Sequence, residues 1–177
     1  MKTIYYVRHG ESEGNAAGVL VDASLDAPLT TRGERQARQA TVLLEGKQID
    51  AIIASPMRRA LQTARIIADG LGYKKEVVAD ALFTERDLGS ATGLPREEGL
   101  ALVRSGKAVG FETEEQLYDR AMKAIEKLRV LPEDHILVVG HNGMGKMMRL
   151  AIEGKPASEF TVGERLEHAK VYEFILG

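Results

Sequence analysis

Apolar residues in this chain come in short runs separated by longer stretches of helical periodicity. Residues 2–7 (KTIYYV) read as a strand of β-branched and aromatic residues that stops abruptly at the polar group RHGESEGN. Residues 51–54 (AIIA), Val77-Val78, residues 136–139 (ILVV) and the segment from Lys170 to Leu176 read as further strands. Between them the spacing predicts helices. One begins at Thr31, which stands in capping-box spacing with Glu34, and runs to about Leu44. A second follows Ser55-Pro56, read as an N-cap and a proline in the first helical position, and continues to about Leu71. A third follows Thr113 and Gln116, again in capping-box spacing, with apolar Leu117, Ala121, Ala124, Ile125 and Leu128 on one face. A fourth leads from Gly140-His141-Asn142-Gly143 to about Glu153. Residues 18–30 read as a loop, and residues 85–112, rich in glycine and charge, as an irregular insertion.

Strands alternating with helices at this spacing predict a three-layer α/β/α sandwich with a mostly parallel central sheet. A single domain is expected over residues 1–177, with a short cap insertion at about 86–112. In such sheets ligands bind at the carboxyl ends of the strands. Arg8-His9, the Ser55–Arg59 stretch and His141 each follow a predicted strand, so three polar clusters far apart in sequence are expected at one sheet edge.

Composition narrows the chemistry. A chain of 177 residues, 44% of them hydrophobic, is long enough for one well-buried core. The net charge of −2 gives no global reason to expect nucleic acid or a membrane as partner, so any anion site must be a local arrangement of cations. The absence of cysteine excludes disulfides, thiolate metal sites and a cysteine nucleophile. No apolar stretch approaches the roughly 18–20 residues of a membrane span. The expectation is a cytoplasmic protein, monomeric or homodimeric.

The predicted edge gathers Arg8, His9, Asn15, Arg58 or Arg59, and His141. Guanidiniums match phosphate oxygens bidentately and stay charged at any working pH. Helix N-termini after Ser55 and His141 would add backbone donors. A neutral imidazole is a competent nucleophile near neutrality, and a second imidazole can contribute protonated charge. Glu85, in LFTERDLGSATG, is the candidate proton donor for a leaving alcohol. Two histidines and a glutamate are also zinc-type donors, but two arginines in one pocket would repel a dication, so a metal is not expected. No GxxxxGK[ST] or GxGxxG is present. His135 and His168 receive no role.

Several ordered motifs resemble the histidine phosphatase superfamily, the phosphoglycerate-mutase-like proteins. Arg8-His9-Gly10-Glu11-Ser12 with Asn15 resembles its RHGESxxN signature. Asp26-Ala27-Pro28-Leu29-Thr30 with Gly33 and Gln36-Ala37, then Ser55-Pro56-Met57-Arg58-Arg59-Ala60 with Gln62-Thr63-Ala64, continue in the family's order. Glu85 with Gly89 and Gly93, and finally His141, complete the pattern. The resemblance selects Arg59 over Arg58. It implies a phosphoglycerate-mutase-like fold and a metal-independent phosphomonoesterase acting on a small phosphorylated metabolite, with no organic cofactor. His9 would carry the phosphoryl group and Glu85 would serve as acid and base. Arg8, Arg59 and His141, with Gly10, Asn15 and the amide of Asn142, would hold the phosphoryl group.

Family alternatives are a mutase and a phospho-ligand binder. The short segment between Glu85 and His141, lacking the arginine-rich insert of mutases, implies an open site that favours hydrolysis. The intact Glu85 argues against a pure binder. Arg86, Arg96, Arg104 and Lys107 could line the mouth and favour a second anionic group.

Overall fold

The computed structural model describes residues 1–177. Strand β1 (Lys2–Arg8) leads through the short helix α1 (Glu13–Ala16) and a loop to α2 (Thr31–Leu44). Then follow β2 (Ala51–Ala54), α3 (Arg58–Gly70), β3 (Val77–Ala79), α4 (Arg96–Arg104) and α5 (Glu114–Val130). The chain ends through β4 (His135–Gly140), α6 (Asn142–Ile152) and β5 (Val171–Leu176). The strands form one sheet in the order β3-β2-β4-β1-β5. All neighbours are parallel except β5, which runs antiparallel along β1 at one edge.

The inner strands are apolar at nearly every position because both faces of the sheet are covered. Alternation sorts their side chains. Ile4, Tyr6, Ile53, Ile136 and Val138 pack with α5 and α6, against Leu117, Ile125, Leu128, Met144 and Met147. Tyr5, Val7, Ile52, Ala54, Leu137 and Val139 pack with α2 and α3, against Ala40, Leu44, Ala60, Ala64 and Ile67. All five predicted apolar positions of α5 are buried, and its Thr113/Gln116 capping box is formed. A fully buried Leu or Ile contributes about 1.5–3 kcal/mol relative to an exposed one, so these two layers supply the main favourable term. No helix is long and apolar enough to cross a membrane.

Three local expectations change. The cap of α2 is Thr30, whose hydroxyl accepts from the Gly33 amide at 3.0 Å, one residue earlier than the Thr31 reading. Helix α3 begins only at Arg58, after Met57, and Ser55 is not its cap. Ser55 stays buried because its hydroxyl has a partner across the sheet edge, described below. The 85–112 segment is not irregular throughout: it contains a short 3-10 turn (Gly89–Ala91) and α4. Leu100 and Val103 of α4 pack with Leu20, Ala91 and Ala108 in a small separate core. That helix is nine residues long with a glycine inside it, too short for its period to show in the sequence.

Parallel register aligns the carboxyl ends of β1, β2 and β4. The amide of His9 donates to the Gly140 carbonyl at 3.0 Å, and the amide of Ser55 to the Val139 carbonyl at 2.9 Å. His9, Ser55 and His141 therefore leave the sheet side by side.

Candidate active site

His9 is held between two neighbours that fix its tautomer. Its Nδ1–H donates to the carbonyl of Gly10 at 2.6 Å, which leaves the lone pair on Nε2. Arg59, on the first turn of α3, donates from Nε to that Nε2 at 3.2 Å. Residue 10 must be glycine, because a Cβ there would lie 2.3 Å from the carbonyl oxygen of Gly33. The Gly10 amide is engaged by Thr63 Oγ1 at 3.1 Å, so it offers no donor to a ligand, contrary to the expectation for that residue.

His141 faces His9 edge-on, with ring centroids 5.0 Å apart. Arginine can only donate, so the 3.4 Å contact from Arg59 Nη2 makes His141 Nδ1 the acceptor. Nε2–H then donates to Ser55 Oγ at 2.8 Å. The backbone of His141 is clamped by Tyr6, whose hydroxyl accepts the His141 amide and donates to its carbonyl, both at 2.8 Å. Room for the Tyr6 ring depends on Gly145, where a Cβ would approach it to 2.3 Å.

Both histidines have pKa values well below the ordinary value. Burial is the first cause for each. For His9 the charges of His141, Arg59 and Arg8 add to it, and for His141 those of Arg59, Arg8 and Arg120. Both imidazoles are thus neutral, and His141 gains the protonated charge expected of it only if an anion raises its affinity for a proton.

Arg8, at the end of β1, is 6% exposed, donates from Nη1 to the Leu166 carbonyl at 2.7 Å, and has no partner at Nε. Arg59 is 1% exposed and donates to the carbonyls of Asp22 at 3.1 Å and Leu25 at 3.2 Å as well as to the two histidines. Neither guanidinium has a carboxylate within ion-pair distance. Two buried cations without a counter-ion carry a desolvation cost of several kcal/mol each unless an anion completes the site.

Glu85 follows β3 and a 3-10 turn, and its carboxylate lies on the N-terminus of α6. Oε1 accepts from the Gly143 amide at 2.8 Å and the Arg86 amide at 2.9 Å, and Oε2 from the Asn142 amide at 3.0 Å. The Asn142 amide, expected to face a phosphoryl group, is therefore occupied by Glu85. The Asn142 side chain braces the loop before β5, accepting from the Leu166 amide at 2.7 Å and donating to the Glu164 carbonyl at 3.2 Å. Asn15 caps α1 with Ser12 and lines the cavity outside Arg8.

Expected site residues thus gather at one sheet edge: His9, Arg59 and His141 in contact, and Arg8, Glu85, Asn15 and Asn142 on a cavity of about 120 Å³ just outside them. Arg58 stays apart, its amide bound to Asp26. The expected openness is not found. His9 is 3% exposed and His141 fully buried, and the carbonyls of Asp22 and Leu25 hold Arg59 beside them. Of the four cap cations, Arg86 and Arg96 line the cavity while Arg104 and Lys107 do not. Arg86 is buried, paired with Glu114 at 2.9 Å, and so largely neutralised.

Sequence reasoning missed Tyr6, the hydroxyl of Ser55, Asp22 and His168. Asp22 is 1% exposed and accepts from Leu88 and Thr92 while its carbonyl receives Arg59, so it ties the cap to the pocket. His168 donates from Nδ1 to the His9 carbonyl at 2.8 Å, and burial lowers its pKa to about 4. The signal available for Tyr6 was a tyrosine on the buried face of β1, whose hydroxyl needs a partner. Nowhere do three or more His, Asp or Glu side chains gather as a metal-ligating group.

A sheet edge with paired neutral imidazoles and two uncompensated buried guanidiniums defines a phosphoglycerate-mutase-like enzyme that handles phosphoryl groups. The family model for the histidine phosphatase superfamily (branch 1) matches residues 4–175, and the chain belongs to that family as a phosphoric monoester hydrolase. It is 34% identical over 155 residues to a Bacillus subtilis protein described as uncharacterized phosphatase PhoE, spanning 87% of this chain and 79% of that one. It is 37% identical over 132 residues to a 2,3-bisphosphoglycerate-dependent phosphoglycerate mutase of Thermoplasma acidophilum. That match spans 71% of this chain and 65% of the mutase, which is less than two thirds of its length. Among solved structures, Bacillus stearothermophilus YhfR has a TM-score of 0.85 at 24% identity, covering 98% of this chain and 90% of that one, a likeness of fold.

Proposed function

We propose that this protein hydrolyses a small phosphorylated metabolite without a metal, through a phosphohistidine at His9. The observation that carries the reading is Arg8: a buried guanidinium with an unpartnered Nε and no carboxylate within ion-pair distance, next to an imidazole whose Nε2 lone pair is free of its own proton. Such a cation is satisfied by a phosphoryl dianion, and guanidinium forks stabilise the charge of the transferring group.

In the first step His9 Nε2 bonds to phosphorus as the phosphorus–oxygen ester bond breaks. Arg59 turns its Nη donors from the carbonyls of Asp22 and Leu25 to phosphoryl oxygens. The incoming dianion raises the affinity of His141 Nδ1 for a proton, which is taken up from solvent with the substrate, and Nδ1–H then donates to a phosphoryl oxygen while Ser55 keeps Nε2–H in place. The leaving oxygen takes a proton from the Glu85 carboxyl, which the second step restores. In the second step Glu85 takes a proton from water, the water oxygen bonds to phosphorus, and the nitrogen–phosphorus bond breaks to release phosphate.

The test is phosphate release from an aryl phosphate in excess EDTA, beside His9→Ala, with labelled phosphate trapped by rapid quench. Turnover that survives EDTA, vanishes in the variant and passes through an acid-labile phosphoenzyme is expected. EDTA-sensitive turnover, or turnover in His9→Ala, overturns the mechanism.

A mutase reading is favoured by one observation, the burial of His9, since a mutase must shield its phosphohistidine from water. Interconversion of phosphoglycerate isomers faster than phosphate release would select it.

A further inference from the structure

The cavity outside Arg8 is lined by two kinds of side chain. Val19, Leu20 and Val21, from the loop after α1, with Leu100 and Val103 of α4, give it an apolar part. Arg96 and Arg165 supply charge that the phosphoryl chemistry does not use. Arg96 donates from Nη2 to the Gly163 carbonyl at 3.3 Å, which brings the loop carrying Arg165 against the start of α4. The two guanidiniums are near enough that Arg165 contributes, after burial, to lowering the Arg96 pKa, and both act in the same direction on Arg8.

No buried carboxylate pairs with either guanidinium. Arg165 forms no ion pair, and Arg96 meets only Glu97, at 4.0 Å, on a side chain 85% exposed. The other charges of the cavity act elsewhere, the Glu164 carboxylate on Lys146, whose pKa burial lowers and Glu164 raises. Arg86 is paired with Glu114, and Glu85 is bound by the amides of α6. Lys146 donates to the carbonyls of Thr161 and Glu164. Like charges left together beside an apolar wall, with a phosphoryl site behind them, describe the outline of a ligand.

We propose that the cavity receives the alcohol part of a phosphomonoester that has a short apolar segment ending in a second anionic group, which Arg96 and Arg165 bind. This rests on the phosphomonoesterase reading of the same site. It makes the pair a specificity device: an ester lacking the distal anion leaves both guanidiniums unpaired, whereas a neutral polar end gains little from them.

The experiment compares matched alkyl phosphates of increasing chain length that end in methyl, carboxylate or phosphonate, with an aryl phosphate as reference. At the best chain length, kcat/KM for the anionic ends is expected to exceed the methyl end by about 10-fold or more, the equivalent of about 1.4 kcal/mol. The ratio of anionic to methyl substrate cancels any general loss of activity. It should fall towards one in Arg165→Ala and in the Arg96→Gln/Arg165→Ala double variant, chiefly through KM, and recover in part in Arg165→Lys. An aryl phosphate turned over by an enzyme that shows no anionic preference overturns this inference and leaves the phosphatase reading standing, as does a preference that survives the double variant. Failure to hydrolyse any ester removes both.

Discussion

Replacing Arg8 by methionine separates its role as an anion ligand from any role in holding the fold. The guanidinium is 6% exposed, makes one hydrogen bond at 2.7 Å, and leaves Nε without a partner. Burial lowers its pKa to about 10, with Glu85 opposing the shift and Arg165 and Arg96 adding to it, so it remains charged at neutral pH. Methionine is of similar length and fills the same space without charge. Losing the bond to the Leu166 carbonyl costs about 1.5–3 kcal/mol. Removing the orphaned Nε recovers about 1–3 kcal/mol, and removing an uncompensated buried charge recovers several more. The anion-free variant is therefore expected to be more stable than its parent by about 1–4 kcal/mol. For a chain of this size that is about 2–4 °C in Tm per kcal/mol. The parent should gain about 2.7 kcal/mol from an anion at a hundred times its Kd, and the variant should lose most of that gain together with its turnover. Thermal unfolding with and without orthovanadate reads both quantities. A variant that is less stable without anion, yet stabilised by vanadate as much as its parent, would refute the claim that Arg8 is an unpaired cation awaiting a phosphoryl group.

Glu85→Gln should lower kcat for alkyl phosphates by about 10²–10⁴ and for aryl phosphates much less, since good leaving groups need little protonation; equal losses remove Glu85 from the acid role. Ser55→Ala leaves the buried Nε2–H of His141 without an acceptor, so chemical denaturation should register a loss of about 1–3 kcal/mol, with a fall in kcat/KM as His141 loses its fixed tautomer; unchanged kinetics would show that Ser55 does not orient the ring. His9, His141 and His168 all have pKa values below the ordinary histidine value, with burial the first cause, so each stays neutral in the fold while the unfolded chain takes up protons near pH 6.5. Their stabilising contribution is present above that pH and is lost as pH falls towards 4, at up to about 1.4 kcal/mol per pH unit for each histidine. Urea unfolding across that window should show the slope, reduced in His168→Asn; stability independent of pH there contradicts the buried neutral histidines.

Much of this protein was legible without coordinates, for two physical reasons. Strands of a covered parallel sheet are apolar on both faces, so the runs IYYV and ILVV announce themselves, and α5 is long enough for its period to be read. A parallel sheet then places the residues after β1, β2 and β4 at one edge, which is why Arg8, His9, Arg59 and His141 could be grouped from sequence position. What sequence could not supply was partnership. Whether the Ser55 hydroxyl caps a helix or holds His141, and whether the Asn142 amide faces a ligand or Glu85, depends on which donors and acceptors the fold brings within about 3 Å, the range in which a hydrogen bond forms. The same holds for the Asp22 carbonyl receiving Arg59, and for Arg96 reaching the loop that carries Arg165 across a long sequence separation. The residue order fixes which chemical groups exist and which edge they share; burial and distance, which only the folded chain defines, decide which of those groups are already satisfied and which are left for a ligand.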